Sequence, residues 1–214
     1  MQSTFFPTPY AEPQGYAPIE DYKSKYKGMA NFLKFDRKTG KVVVDDSFQI
    51  ELPPYFQDLS ILGRGPSEGW FFMNSMNTEM ATGGSLEGKP PMEIGASQND
   101  MDYLHVIDWK KAEQVFLAGK AEKIRDFPVI SLETAVAEGL LHFVPEPKSP
   151  HGADVTPDGR YIVVGGKLDT HATVYSFEKI KALIDAKDYA GTDPYGVPIL
   201  PFEEDYFRKG GIDC

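Results

Sequence analysis

The run Tyr103-Leu104-His105-Val106-Ile107-Asp108, closed by Trp109-Lys110-Lys111, is one of three copies of a single phrase: a short β-rich strand, an acidic turn and a basic continuation. The first copy is Asn31-Phe32-Leu33-Lys34-Phe35-Asp36 with Arg37-Lys38-Thr39-Gly40-Lys41, running on into Val42–Val44. The third is Ala172-Thr173-Val174-Tyr175-Ser176-Phe177, before Glu178-Lys179-Ile180. Aligning Phe35, Ile107 and Tyr175 gives spacings of 72 (107 − 35) and 68 (175 − 107), and near-constant spacing points to a repeat architecture. Further short strands, Trp70–Asn74 and Tyr161–Val164, sit behind glycine-containing turns; Asp158-Gly159 is a hairpin signal. Short strands cut by Gly, Pro and Asp turns predict an all-β fold, with two short rim helices over Lys110–Ala118 and Glu178–Ala186. A β-propeller fits best. At roughly 70 residues per unit the chain holds about three blades, fewer than the usual closed ring of about 4–8. It therefore reads as a partial propeller, a fragment of a longer protein, arranged as an open arc of antiparallel blades.

Residues 1–28, with Pro7, Pro9, Pro13 and Pro18 among several tyrosines, read as an extended surface loop, and 29–214 as the partial propeller. The 214 residues are 41% hydrophobic and 25% charged, enough apolar material for a core. Lys+Arg 22 against Asp+Glu 32 leaves a net charge of −10 without a basic stripe, which argues against a nucleic-acid partner. No apolar run is long enough to span a bilayer, and the start of the chain has no signal-peptide pattern. The single cysteine, Cys214, makes no intrachain disulfide. GxGxxG, Walker A, GxSxG and CxxC patterns do not occur.

Of the four histidines, His105, His142 and His171 lie in or beside apolar strands, where a packing role is the ordinary one. His151 is different. In Ser149-Pro150-His151-Gly152 it is pinned on a loop between a residue with fixed φ and one that bends freely, a way for a β-scaffold to present a metal ligand. A structural histidine in a turn is the plainer alternative. Glu79, Asp100 and Asp102 bring hard oxygen donors to the two ends of one long Gly/Pro loop, which suits calcium, although EF-hand spacing is absent. Glu203-Glu204-Asp205 reads as solvated.

The wording of Val144–Leu183, with Asn77–Ala81 and Asn99–Ala118, resembles the propeller domain of nitrous-oxide reductase. Gly95–Asp102 and Lys167–Tyr175 look closer to that family's atypical branch. The resemblance implies a seven-bladed propeller in a periplasmic copper enzyme that reduces N2O to N2 and water. It implies an electron donor such as a c-type cytochrome, and a homodimer. Carried over by residue, it marks His151 as a ligand of the catalytic copper–sulfide cluster, and Glu79 and Asp102 as calcium ligands. Ser149 and Met76 stand at two further calcium positions, where the better-known branch has Asn and Tyr; a thioether is a poor ligand for calcium. The other cluster histidines and the cysteine pair of the dinuclear copper domain have no counterparts here, so the chain alone is expected to be inactive. Two other classes remain open: a non-catalytic propeller-like binding module, and a calcium-dependent lactonase-type propeller.

Overall fold

The computed structural model describes residues 2–6, 28–76, 78, 101–124, 127–146, 150–166 and 172–201. Among the described residues the fold is mostly β, with three short α-helices, and it is built from three three-stranded antiparallel meanders. The first contains β1 (Gln2–Phe6), β2 (Gly28–Leu33) and β3 (Phe48–Leu52). The second contains β4 (Phe56–Leu62), β5 (Trp70–Met76) and β6 (Asp102–Asp108). Helix α1 (Trp109–Leu117) follows, capped by the Asp108 side chain, which accepts from the Lys111 amide at 2.9 Å. That bond satisfies one of the free amides of the first turn and fixes where strand becomes helix.

The chain then makes a hairpin, β7 (Glu122–Ile124) and β8 (Phe127–Ile130), which lies back along the first sheet with β8 parallel to β3. Helix α2 (Leu132–Ala137), capped by Ser131, returns it as β9 (Leu141–Glu146), antiparallel to β6. The third meander, β10 (Pro150–Val155), β11 (Tyr161–Gly166) and β12 (Ala172–Ser176), leads into helix α3 (Phe177–Ala186). The chain then repeats its earlier return: β13 (Gly191–Thr192) and β14 (Pro198–Ile199) lie along the second sheet, with β14 parallel to β9. Pro128-Val129-Ile130 and Pro198-Ile199-Leu200 are matching segments of the two return hairpins, 70 residues apart (198 − 128), although β8 joins β3 directly and β14 joins the added strand β9.

Several sequence expectations need correcting. Third strands of successive meanders are β3, β6 and β12, so Phe35 was aligned with the wrong strand: it sits in an isolated bridge to Val42 just beyond β2. The spacing is near 70 only between the second and third meanders. The sheets are not purely antiparallel, because each return hairpin adds a parallel junction. Gln2–Phe6 forms an edge strand within the segment read as a loop; the remainder of that segment, 7–27, lies outside the described residues. The two expected helices appear within a residue of their expected starts, and α2 is additional.

The sheets stack face to face. Phe32, Phe48 and Ile50 of the first sheet meet Phe71, Met73 and Phe143 of the second, with Ala112 and Val115 of α1 closing the layer. On the other face of the second sheet, Phe72, Leu104, Val106 and Val144 meet Val155, Ile162, Val164 and Tyr175 of the third. Covering on both faces explains why Leu104–Ile107 is buried at every position, His105 included, and not at alternate ones. The hairpin at Gly159 (φ +73°) presses on the Arg64 turn so closely that a Cβ there would come within 1.8 Å of the Arg64 carbonyl oxygen. Glycine is required at that contact for both conformation and space. No helix among the described residues is long and apolar enough to cross a membrane.

Candidate metal centre

Side chains alternate across a strand, so Phe72 and Asn74 of β5 share a face, as do Leu104 and Asp102 of β6, and Val144 and Glu146 of β9. That face looks onto the third sheet. Its apolar layer therefore ends in three polar side chains, Asn74, Asp102 and Glu146, all with no solvent exposure. Asp102 and Glu146 are direct cross-strand partners, a relation that brings facing Cα atoms within about 4.5–5.5 Å. The Asn74 amide donates to both Glu146 oxygens, at 2.7 and 2.8 Å. The Asn74 carbonyl oxygen, equally buried, has no hydrogen-bond partner. Asp102 accepts from the Thr78 backbone amide at 3.2 Å, and the Thr78 hydroxyl donates to the Met101 carbonyl at 2.6 Å. Tyr175 spans from the third sheet and donates to the Pro145 carbonyl at 3.0 Å.

Two carboxyl groups thus face each other in a dry seam. Among the described residues, no lysine, arginine or histidine reaches Glu146. Burial above all, and the charge of Asp102, push its carboxyl well above the ordinary 4.5, against the Asn74 hydrogen bond. Like charges opposite one another destabilise a sheet, and a buried charge needs a counter-ion or a proton. The donors are all hard oxygens, the set a calcium-sized cation takes. Among the described residues no group of three or more His, Cys, Asp or Glu side chains converges, so the cluster is two carboxyls and an amide.

Of the expected calcium positions, Asp102 is in this cluster. Glu79 and Ser149 lie outside the described residues, as does the side chain of Met76, whose backbone ends β5 opposite Phe56. Thr78, the residue before Glu79, is held against Asp102 across 24 positions of sequence. Glu146 and Asn74 were missed by sequence reasoning, yet a signal existed: each is a polar residue two places after an apolar one on the same strand face, in Val144-Pro145-Glu146 and Phe72-Met73-Asn74.

His151 is exposed, but it is not on a free loop. It lies in β10, where Pro150 pairs with Gly166 and Ala153 with Val164, so His151 and Gly152 together face Gly165 alone. This is a β-bulge, with Gly152 at φ +92° and Leu59 packed beside it; a bulge re-aims a side chain as a loop would. His105 and His142 are packed in the second sheet, as expected of strand histidines. His105 Nδ1 is 3.2 Å from the Tyr103 carbonyl oxygen, and His142 Nε2 is 3.3 Å from the Tyr189 hydroxyl. Burial lowers their pKa values to about 3 and about 4. His171 lies outside the described residues. Copper clusters take several imidazoles, and the described residues bring no second one to His151, so they do not by themselves fit such a cluster.

No family model matches the chain. It is 28% identical over 97 residues to a nitrous-oxide reductase of Stutzerimonas stutzeri, a stretch covering 44% of this chain and 15% of that protein. It is 30% identical over 106 residues to the nitrous-oxide reductase of Ralstonia nicotianae, covering 44% of this chain and 16% of the relative. The match thus spans about one sixth of the length of these curated relatives. Among solved structures, hydrazine synthase of Kuenenia stuttgartiensis superposes with a TM-score of 0.43 and 13% identity, covering 76% of this chain and 37% of that one.

Proposed function

We propose that the chain is a propeller segment of a copper- and calcium-dependent oxidoreductase of the nitrous-oxide reductase type, its three stacked sheets being consecutive blades. The observation that carries this reading is the wholly buried Asp102. The residue that the resemblance marks as a calcium ligand is held by the amide next to Glu79, among hard oxygen donors and without a basic partner at its cross-strand neighbour. The distant similarity to curated nitrous-oxide reductases, over 44% of this chain, supports the same reading. In this reading Glu79 and Asp102 hold calcium, with Ser149 and Met76 at the remaining positions, and His151 supplies one copper ligand from its bulge. Bound copper would bring the electron transfer, and the chain's own contribution is to fix one imidazole on a rigid sheet edge. No step of N2O reduction is assigned to these residues alone, because one imidazole completes no cluster. The placement in the atypical branch, the periplasm, the c-type cytochrome donor and the homodimer belong to the whole protein and to the same proposal.

Titration of the 214-residue chain with Cu(I) under anaerobic conditions tests the copper assignment. Binding is expected to be weak, and His151→Ala should lower it at least about tenfold while leaving the far-ultraviolet circular dichroism unchanged, since the ring is exposed. Equal affinity in the variant would remove His151 from the ligand set. That result, combined with retained calcium binding, would favour a calcium-dependent propeller without copper.

A further inference from the structure

We infer that Glu146, locked by Asn74, is a second carboxylate of the cation site that Asp102 enters, at the end of the seam between the second and third sheets. The inference rests on the calcium reading for the identity of the ion, and on the sheet geometry for the residues. Asp102 and Glu146 are paired across β6 and β9, so whatever neutralises one lies beside the other. Both are fully buried, and two like charges so placed repel each other until a shared cation or a proton relieves them.

Asn74 gives the second, independent sign. Its amide is fully buried and abuts the carboxylate, yet its carbonyl oxygen has no partner, an expensive vacancy in a protein interior. The two ends of an asparagine amide have the same shape and exchange by a half-turn of the side chain. In the exchanged orientation Asn74 gives up the two amide bonds and its oxygen turns towards the Glu146 oxygens, a convergence that needs either a cation between them or a proton on Glu146, and the calcium titration separates the two. Calcium takes 6–8 oxygens, mixing carboxylates, amide and backbone carbonyls. Asn74, Asp102 and Glu146 supply side-chain donors of these classes from three adjacent strands. Strand-borne donors are held more rigidly than loop-borne ones, so they set the geometry to which loop ligands conform.

The test is calorimetric titration of CaCl2 into the chain and its variants, with melting curves in EDTA and in calcium. The unchanged chain is expected to bind calcium and to melt about 5–10 °C higher at a hundredfold excess over Kd. Glu146→Gln should weaken binding at least about tenfold, yet melt in EDTA no lower than the unchanged chain, because a buried ionisable group is gone. Asp102→Asn should also lose binding. If Glu146→Gln binds calcium as the unchanged chain does while Asp102→Asn does not, the inference is overturned and the calcium reading stands. If the unchanged chain binds no calcium, the calcium reading itself falls. Should Glu146→Gln not fold, Asn74→Asp decides. A third carboxylate ought to lower the melting temperature in EDTA and to enlarge the calcium increment; an increment no larger than that of the unchanged chain overturns the inference.

Discussion

Replacing His105 with leucine is expected to make the protein about 2 kcal/mol more stable at pH 5, relative to pH 7, than the same pH step leaves the unchanged chain. His105 stands on β6 with no exposure, its ring 4.4 Å from that of Phe143 and edge-on to Tyr55 at 6.2 Å. Its Nε2 has no partner, and burial lowers its pKa to about 3. A histidine kept neutral by the fold takes up a proton only on unfolding. As the pH falls below 6.5 the unfolded chain binds a proton that the native one refuses, so stability is lost at up to about 1.4 kcal/mol per pH unit. The loss ends near the folded value, about 3 for His105 and about 4 for His142.

Glu146 acts in the opposite sense. Its raised carboxyl keeps a proton that the unfolded chain releases above 4.5, so its contribution is greatest at low pH and is lost as pH rises. The unchanged chain therefore shows a shallow net pH dependence, and the difference between the two proteins isolates the His105 part. Urea midpoints at pH 7 and pH 5 supply the measurement. A His105→Leu curve parallel to that of the unchanged chain would mean that the ring is protonated, or solvated, in the native state.

What the sequence disclosed and what it concealed follow from the range of the forces involved. Strand identity and both longer helices were legible because Asp108 and Ser176 are N-caps set just before periodic apolar runs, a local signal. The return hairpins were not legible. β14 has only two residues, and its partner β9 is chosen by the packing of Val197 and Leu200, more than fifty residues from Phe143. The repeat was misaligned in its first copy because Phe35-Asp36 imitates the strand-and-acid pattern while serving as the turn between β2 and β3, where Asp36 accepts from the Lys38 amide at 2.7 Å. At the candidate centre, Asp102 was marked by its place among acidic residues at a loop end and then by resemblance, whereas Glu146 required the cross-strand register, which no local pattern records. His151 illustrates both cases. Pro-His-Gly correctly marked an irregular backbone, but that irregularity is a bulge within a sheet and not a loop ahead of it.

Asp193→Ala is expected to be the most damaging single truncation of a polar side chain outside the candidate centre, costing about 3–5 kcal/mol. One Asp193 oxygen accepts from the buried Tyr55 hydroxyl at 2.5 Å, 138 residues away. The other accepts from the Tyr195 amide at 3.0 Å and the Val197 amide at 2.7 Å, forming the turn between β13 and β14. Truncation leaves the Tyr55 hydroxyl unpaired at a fully buried position and unties the turn that seats Val197, Ile199 and Leu200 against β9. Tyr55→Phe, which removes only the donor and keeps the turn, should cost about 1–2 kcal/mol. The two losses should not add, since they break the same bond. Amide exchange locates the damage. In Asp193→Ala, protection should fall first at Leu200, whose amide donates to the Phe143 carbonyl at 2.8 Å, and at Ala190, which donates to Ile199 at 2.8 Å. The β10–β12 meander, which shares no hydrogen bond with that segment among the described residues, should keep its own protection. Uniform loss across all three sheets would instead show that Tyr55–Asp193 holds the whole stack and not just the segment it ties down.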